Sequence, residues 1–318
     1  MNTNQKSKPQ VPLVSVIMPV YNAAAFVAEA IESILVQTYK NFELIIIDDA
    51  STDQTWKIIR HYKKRHKDKI KAMRLRTNLS RGGDAAGNVG MTLAKGDFIA
   101  RMDADDIAFP YRLERQVRYL QTHPECAVLG SSAHIINREG EVVGEKRVAT
   151  SHNEIYKEYF VLHPMIHPTV MIRRSALLDP NTLYMMVLSS NNDYLTFFKM
   201  ITSGKKFANL NDKLIYYRIH GSNDSLAQVK RSFINSIRIR YRAVFEFGYR
   251  PTSLSLVKLA AQTVLVLALP EKLIFHLYLL VRGIAKPADY VRFIKLPRFT
   301  RLKKAFKFRL ATRLKQSA

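Results

Sequence analysis

The sequence predicts an α/β protein, with a mostly parallel central sheet flanked by helices and a helical, basic C-terminal extension. Three observations predict it. Short apolar runs alternate with segments of helical periodicity over the first hundred residues. The runs are apolar without a polar alternation, as strands covered on both faces must be. The third observation is charge. Of a net +24, residues 230–318 carry 20 Lys+Arg against Glu246, Glu271 and Asp289, leaving 30 basic and 23 acidic residues before them.

The elements follow in order. Residues 1–11 lack an apolar run behind their charges and read as a short disordered lead. "VSVIMPVYNA" (14–23) is a strand ending in a polar turn. Val27, Ala30, Ile31, Ile34 and Leu35 recur at helical spacing over 24–37. "FELIIIDDAS" is a strand closed by carboxylates, and Ser51, Thr52 and Asp53 mark the start of the next helix. A strand at 70–76, a helix at 84–95 and a strand at 97–102 complete β-α-β-α-β-α-β. Pro110 precedes a helix through "YRLERQVRYLQTH". "CAVLG" and "INREGEVVG" read as strands, the latter a hairpin turning at Glu139-Gly140. "HPTVMIRR" is a strand, 192–204 a helix stopped by Gly204, and "KFANL" and "KLIYYRIH" two more strands. This later half is the more mixed part of one domain.

In parallel sheets ligands bind at the carboxyl ends of strands. Three such ends carry polar clusters here: Pro19-Val20-Tyr21-Asn22, Asp48-Asp49 and Asp103-Ala104-Asp105. They are expected to converge on one edge.

Several sites are excluded. No G-x-G-x-x-G follows the first strand, and "RGGDAAGNVG" lacks the Gly-Lys-Ser/Thr of a P-loop. His163 and His167 stand four apart, but Pro164 and Pro168 forbid a helix that would align them as a zinc pair. The single cysteine, Cys126, rules out an intrachain disulfide and fits a reducing compartment.

What remains is "DAD". In an extended segment, residues two apart face one side, so Asp103 and Asp105 address one ligand while Ala104 points away. Mg²⁺ or Mn²⁺ suits one or two carboxylates plus phosphate oxygens, and would neutralise a diphosphate leaving group. A solvated turn is the alternative for an isolated D-x-D. Asp106 reads as a turn residue leading into the Pro110 helix. Asp193 opens a later helix. It is a candidate base for activating a hydroxyl, or an acid favoured by the helix dipole.

These residues resemble the family 2 glycosyltransferases of GT-A fold. The resemblance runs over residues 12–226, on "VSVIMPVYNAAAFVAEAIESILVQTYKNFELIIIDDASTDQT", "AKGDFIARMDADDIAFPYRLERQVRYLQTHPE", "HPTVMIRRSAL", "NDYLTFFKMITSG" and "LIYYRIHGSNDS". It implies inverting transfer of a sugar from a nucleotide-diphosphate donor, expected to be a UDP-sugar, to an acceptor hydroxyl. Pro19 and Tyr21 would line the nucleobase pocket and Asp49 would bind the base edge. Asp103 would sit near ribose and metal, Asp105 would coordinate Mg²⁺ or Mn²⁺, Asp193 would be the base, and His220 would contact the diphosphate. Two positions depart from the family pattern. Asn192 replaces an acidic residue beside the base. Gly87 replaces an arginine whose phosphate contact Arg81 is a candidate to supply.

The C-terminal region, 227–318, has another character. Two apolar helices meet at Pro270, with 12 uncharged residues between Lys258 and Glu271 and nine between Lys272 and Arg282. Both fall short of the roughly 20 that span a bilayer. The tail mixes Phe and Leu with Lys and Arg, as helices in a membrane interface do. A helical cap on the core is the alternative. The expected partners are a nucleotide sugar, a saccharide or lipid-linked saccharide acceptor in cell-envelope or extracellular polysaccharide assembly, and an anionic membrane surface. That places the chain in the cytoplasm, peripheral on the inner face of the membrane. Two other readings were weighed. A nucleotidyltransferase would need a basic Gly-rich loop after the first strand, and "PVYNAAAF" has none. A nucleic-acid-binding protein would need a recognition motif, and the charge lies mainly outside the sheet domain.

Overall fold

The structure, a computed structural model, describes residues 11–79, 82–220, 229–270 and 273–274. Arg81, the lead and the tail beyond 274 lie outside the described residues. The first half follows the expected alternation: β1 (Val14–Val20), α1 (Val27–Leu35), β2 (Phe42–Asp48), α2 (Thr55–Arg65), β3 (Ile70–Arg74), α3 (Asp84–Leu93) and β4 (Phe98–Arg101). Then come β5 (Ile107–Ala108), α4 (Arg112–Thr122), β6 (Cys126–Ile136), β7 (Val142–Lys146), α5 (His152–Glu158), β8 (Met171–Arg173), α6 (Asn192–Thr202) and β9 (Lys206–Arg218). Two helices follow, α7 (Val229–Phe245) and α8 (Ser253–Ala268).

Among the described residues the strands form one nine-stranded sheet in the order β3-β2-β1-β4-β8-β6-β9-β5, with β7 on β6. β3, β2, β1 and β4 are mutually parallel. β8 runs antiparallel to β4 and β6, while β6 and β9 are parallel. Every residue of β1 and β2 is buried. The side-chain period of two divides them between two cores. Val16, Met18, Leu44 and Ile46 pack with α1, α2 and α4 on one face. Ile17, Ile45 and Ile47 pack with α3, α5, α6 and α7 on the other. Ile239, Ala243 and Tyr249 are buried in this second core, so α7 and the turn after it pack against the sheet domain.

Four local features change or extend the expectations. The N-cap of α2 is Gln54, without a side-chain bond, and Asp53 Oδ1 marks the helix start by accepting the N–H of Thr55, the first helical residue, at 2.9 Å. Ser51 and Asp53 also have a second task. They reach across to the loop after β1, accepting from the N–H groups of Asn22 (3.0 Å) and Ala24 (3.1 Å). "HPTVMIRR" begins as a 3₁₀ turn, His167–Thr169, before β8 starts. Pro168 fixes φ and lacks the N–H that a ladder needs. "KFANL" and "KLIYYRIH" form one 13-residue strand. Leu210 pairs Ser131 and Lys213 pairs Ser132, so polar Asn211 and Asp212 form a bulge rather than a break. Finally, α5 was not anticipated, although Ser151-x-x-Glu154 is a capping box with both bonds formed.

Candidate functional site

The three polar strand ends do meet at one edge, because β1, β2 and β4 are parallel neighbours in register. Among the described residues, two of the three non-glycine residues with positive φ lie there, Asn22 (φ 47°) and Ala50 (φ 59°). The third, Asn191 (φ 63°), precedes Asn192-Asp193. Such backbone is strained for residues bearing a Cβ and clusters at functional sites.

Pro19 is buried in β1, with Gly83 and Gly87 of the β3–β4 crossover lying close over it. Tyr21 is exposed just beyond the strand. Asp49 is buried at the end of β2, where its Oδ1 accepts the Leu79 N–H at 2.9 Å. Burial, opposed by that bond, raises its pKa. Its neighbour Asp48 turns to Arg74, 3.2 Å away.

Asp103, Asp105 and Asp106 each bring a carboxylate oxygen within 4.8 Å of the others. The reason differs from the extended-strand argument. β4 ends at Arg101, and Ala104-Asp105 is a turn that folds the carboxylates together while Ala104 packs into the core. Asp103 pairs with Arg101 at 2.7 Å, and Asp105 with His220 Nε2 at 2.9 Å. Asp106 is not a solvated turn residue. It is buried, its Oδ1 accepts the Arg218 N–H at 2.8 Å, and its Oδ2 has no hydrogen-bond partner among the described residues. An orphaned buried oxygen beside two half-buried carboxylates fits a small hard cation, whose ligands are oxygens. Asp103 and Asp105 would hold it, with Asp106 beside them.

His220 thus meets the acidic turn, stacked at 5.0 Å on Phe26. Arg218 just before it is committed to structure. Its guanidinium donates to the carbonyls of Asp105 and Arg138 and pairs with Glu29 at 2.6 Å.

The second half of the site sits at the head of α6. Asp193 is reached by two imidazoles, His163 Nε2 at 3.4 Å and His167 Nδ1 at 3.9 Å, both toward Oδ2. The prolines prevent a helix, but the loop and 3₁₀ turn bring the rings together around a carboxylate. Burial opposes the Asp193 charge, and the imidazoles and the Tyr194 N–H outweigh it, holding the carboxyl well below its usual range. His167 is pushed down to about 3, chiefly by burial, and is neutral at pH 7. The Asp84 carboxylate faces the backbone N–H groups of Asn192 and Asp193, which favour its charge against the burial that raises its pKa. Asn192 is itself buried, its Oδ1 accepting from the N–H groups of Val187 and Leu188 and its Nδ2 donating to the Leu188 carbonyl at 3.1 Å. A carboxylate could not donate that last bond, so the departure at Asn192 serves the preceding loop. The departure at Gly87 makes room for Tyr184: a Cβ there would lie 3.1 Å from its ring.

Arg101 joins the two halves. It is 4% exposed and interacts electrostatically with Asp103, Tyr184, Asp84 and Asp193. Arg112, buried in α4, donates to the Arg101 carbonyl at 2.7 Å. The neighbouring Gln116 donates to the Thr169 carbonyl at 2.7 Å, tying β4 to the 3₁₀ turn. Asp84, Arg101, His163, His167 and Tyr184 were not anticipated as site residues.

A strand-end half able to cradle a nucleotide and cation, facing a partly buried carboxylate on a helix, is the layout of a nucleotide-dependent α/β group transferase. The particular family follows from comparison. The model of glycosyl transferase family 2 matches residues 15–179, and the chain belongs to that family. It is a glycosyltransferase with a GT-A-type fold. It is 33% identical to the uncharacterized glycosyltransferase MJ1057 of Methanocaldococcus jannaschii over 71% of this chain and 77% of that protein. It is 31% identical to WfaP of Escherichia coli, named as a UDP-Glc:alpha-D-GlcNAc-diphosphoundecaprenol beta-1,3-glucosyltransferase, over 74% of this chain and 92% of that one. Among solved structures it resembles S. aureus TarS 1-349 in complex with UDP-GlcNAc, with a TM-score of 0.59 and 26% identity over 73% of this chain and 66% of that chain.

Proposed function

We propose that the chain transfers a hexose from a UDP-sugar to a saccharide or lipid-linked saccharide acceptor, inverting the anomeric centre in one displacement. One observation carries this reading. Asp193, partly buried and held ionised, shares the field of Arg101 with Asp103 of the acidic turn. A proton acceptor and a donor-binding carboxylate thereby face one site from two elements. The UDP donor is supported by the TarS complex with UDP-GlcNAc, and the lipid-linked acceptor by the name of WfaP.

In this mechanism Pro19 and Tyr21 flank the nucleobase and Asp49 accepts from its edge. Asp103 meets the ribose side of the donor, and His220, beside Asp105, faces the diphosphate. Mg²⁺ or Mn²⁺ held by Asp105 and Asp103 would supply charge neutralisation to the departing diphosphate. Asp193 takes the acceptor hydroxyl's proton as that oxygen attacks the anomeric carbon. With its charge stabilised in the free site Asp193 is a weak base, and the transfer relies on its placement against the hydroxyl proton.

The division proposed is a lead (1–11), a catalytic domain (12–226) and a C-terminal region (227–318) that meets the anionic inner face of the membrane. Among the described residues no helix is long and apolar enough to cross a membrane. α8 exposes Leu254, Val257, Val264 and Leu267, each more than 60%, which suits lying in an interface rather than spanning it.

The base is tested by Asp193→Asn. Turnover is expected to fall on the order of 10²-fold or more with UDP binding unchanged. Near-full turnover would remove Asp193 from the role.

A further inference from the structure

The imidazoles around Asp193 are fixed in direction by what lies behind them. Met165 N–H donates to His163 Nδ1 at 3.2 Å. The neutral ring therefore carries its proton on Nε2, the atom facing Asp193. His167 Nε2 lies 2.6 Å from the Tyr184 hydroxyl. Burial keeps that phenol protonated and His167 neutral, so the ring has one N–H to place. With the phenol donating to Nε2, the proton sits on Nδ1 and points at Asp193. The opposite tautomer would turn a lone pair toward a carboxylate. Both rings thus aim N–H groups at the same oxygen, Oδ2. The backbone N–H groups beneath face Asp84, and Tyr184 is seated in the space left by Gly87.

We propose that His163 and His167 are positioning residues that grip Asp193 through Oδ2, with Tyr184 fixing the His167 tautomer, and so turn Oδ1 toward the acceptor hydroxyl. This rests on the reading of Asp193 as the base. At 3.4 and 3.9 Å the contacts are longer than formed hydrogen bonds. They tighten when the site fills, as catalytic contacts of free enzymes do. Neither ring needs to touch substrate or change protonation.

The test has a kinetic and a spectroscopic arm. UDP release from UDP-glucose and UDP-GlcNAc with Mn²⁺ is measured for His163→Asn, His167→Gln and Tyr184→Phe, alone and on an Asp193→Asn background. Misdirecting the base is expected to lower kcat about 10- to 100-fold for the histidine variants, with the donor KM within about twofold. Tyr184→Phe keeps the ring packing and loses less, so it reads the same contact should a histidine variant not fold. On the Asp193→Asn background the same changes add less than about twofold, since residues acting as a unit are not additive. Losses that persist undiminished on that background, or single variants within twofold of the parent, overturn the proposal. If Asp193→Asn itself keeps turnover, the base reading fails instead. Nitrogen-15 NMR of the imidazoles tests the geometry without activity. A neutral His167 protonated on Nδ1 and His163 on Nε2 are expected, and His167 protonated on Nε2 refutes the grip.

Discussion

Arg101 is the perturbation whose effect the structure fixes most tightly. Replacing it with Met keeps the bulk but leaves Asp103, Asp84 and Asp193 without the cation they share. Removing one partner of a buried ion pair costs about 3–5 kcal/mol, because the other charge stays buried. Asp84 is 4% exposed and cannot reach water, while the Asp103 side chain is 28% exposed and recovers part of its solvation. The lower end, about 3 kcal/mol, is the figure to expect, or about 6–12 °C in Tm for a domain of this size. The pH dependence has a definite sign. Without Arg101, Asp84 and Asp103, whose pKa values burial already raises, bind protons more tightly than the unfolded chain does. Their cost is then largest at high pH and shrinks as pH falls through their raised pKa values. Thermal unfolding of Arg101→Met and the parent at pH 5 and pH 8 reads both features. A Tm within 3 °C of the parent at pH 8, or a deficit that grows on acidification, would refute the shared-cation argument.

Two further outcomes follow from other parts of the molecule. Burial pushes the Cys126 thiol up to about 11, and the residue is 3% exposed. Iodoacetamide at pH 8 should leave it unmodified in the native protein and label it in denaturant, and native labelling would show that the β6 strand opens. Deleting residues 253–318 should abolish binding to anionic vesicles that the full chain shows at low salt, while leaving α7 on the core; unchanged vesicle binding would move the contact elsewhere.

The parallel half was legible because each of its strands and helices carries its own period. β1 and β2 are apolar throughout, and α1 repeats Val27, Ala30, Ile31 and Ile34 on one face. Parallel register then forces the strand ends together, which is why Asp49 and the acidic turn could be placed before any coordinates. The second half of the site was not legible in that way. Arg101 sits inside an apolar run, and Asp84 in a glycine-rich turn 109 positions from Asp193. Nothing local says that either is buried against the other. At His163 and His167 the prolines exclude a helix, but that exclusion says nothing about a 3₁₀ turn and a loop closing on a third residue. Asp106 was misjudged for a related reason. Its burial depends on Arg218, which arrives from β9.

The central claim is that the acidic turn binds a nucleotide sugar with a divalent cation and that the chain transfers the sugar. Its most direct measurement is nucleotide release from a panel of nucleotide sugars with Mn²⁺, comparing the parent with Asp105→Asn. The account predicts release from a UDP-sugar that needs the cation and falls about 10²-fold or more in the variant. Release that is indifferent to both the cation and Asp105 would contradict it.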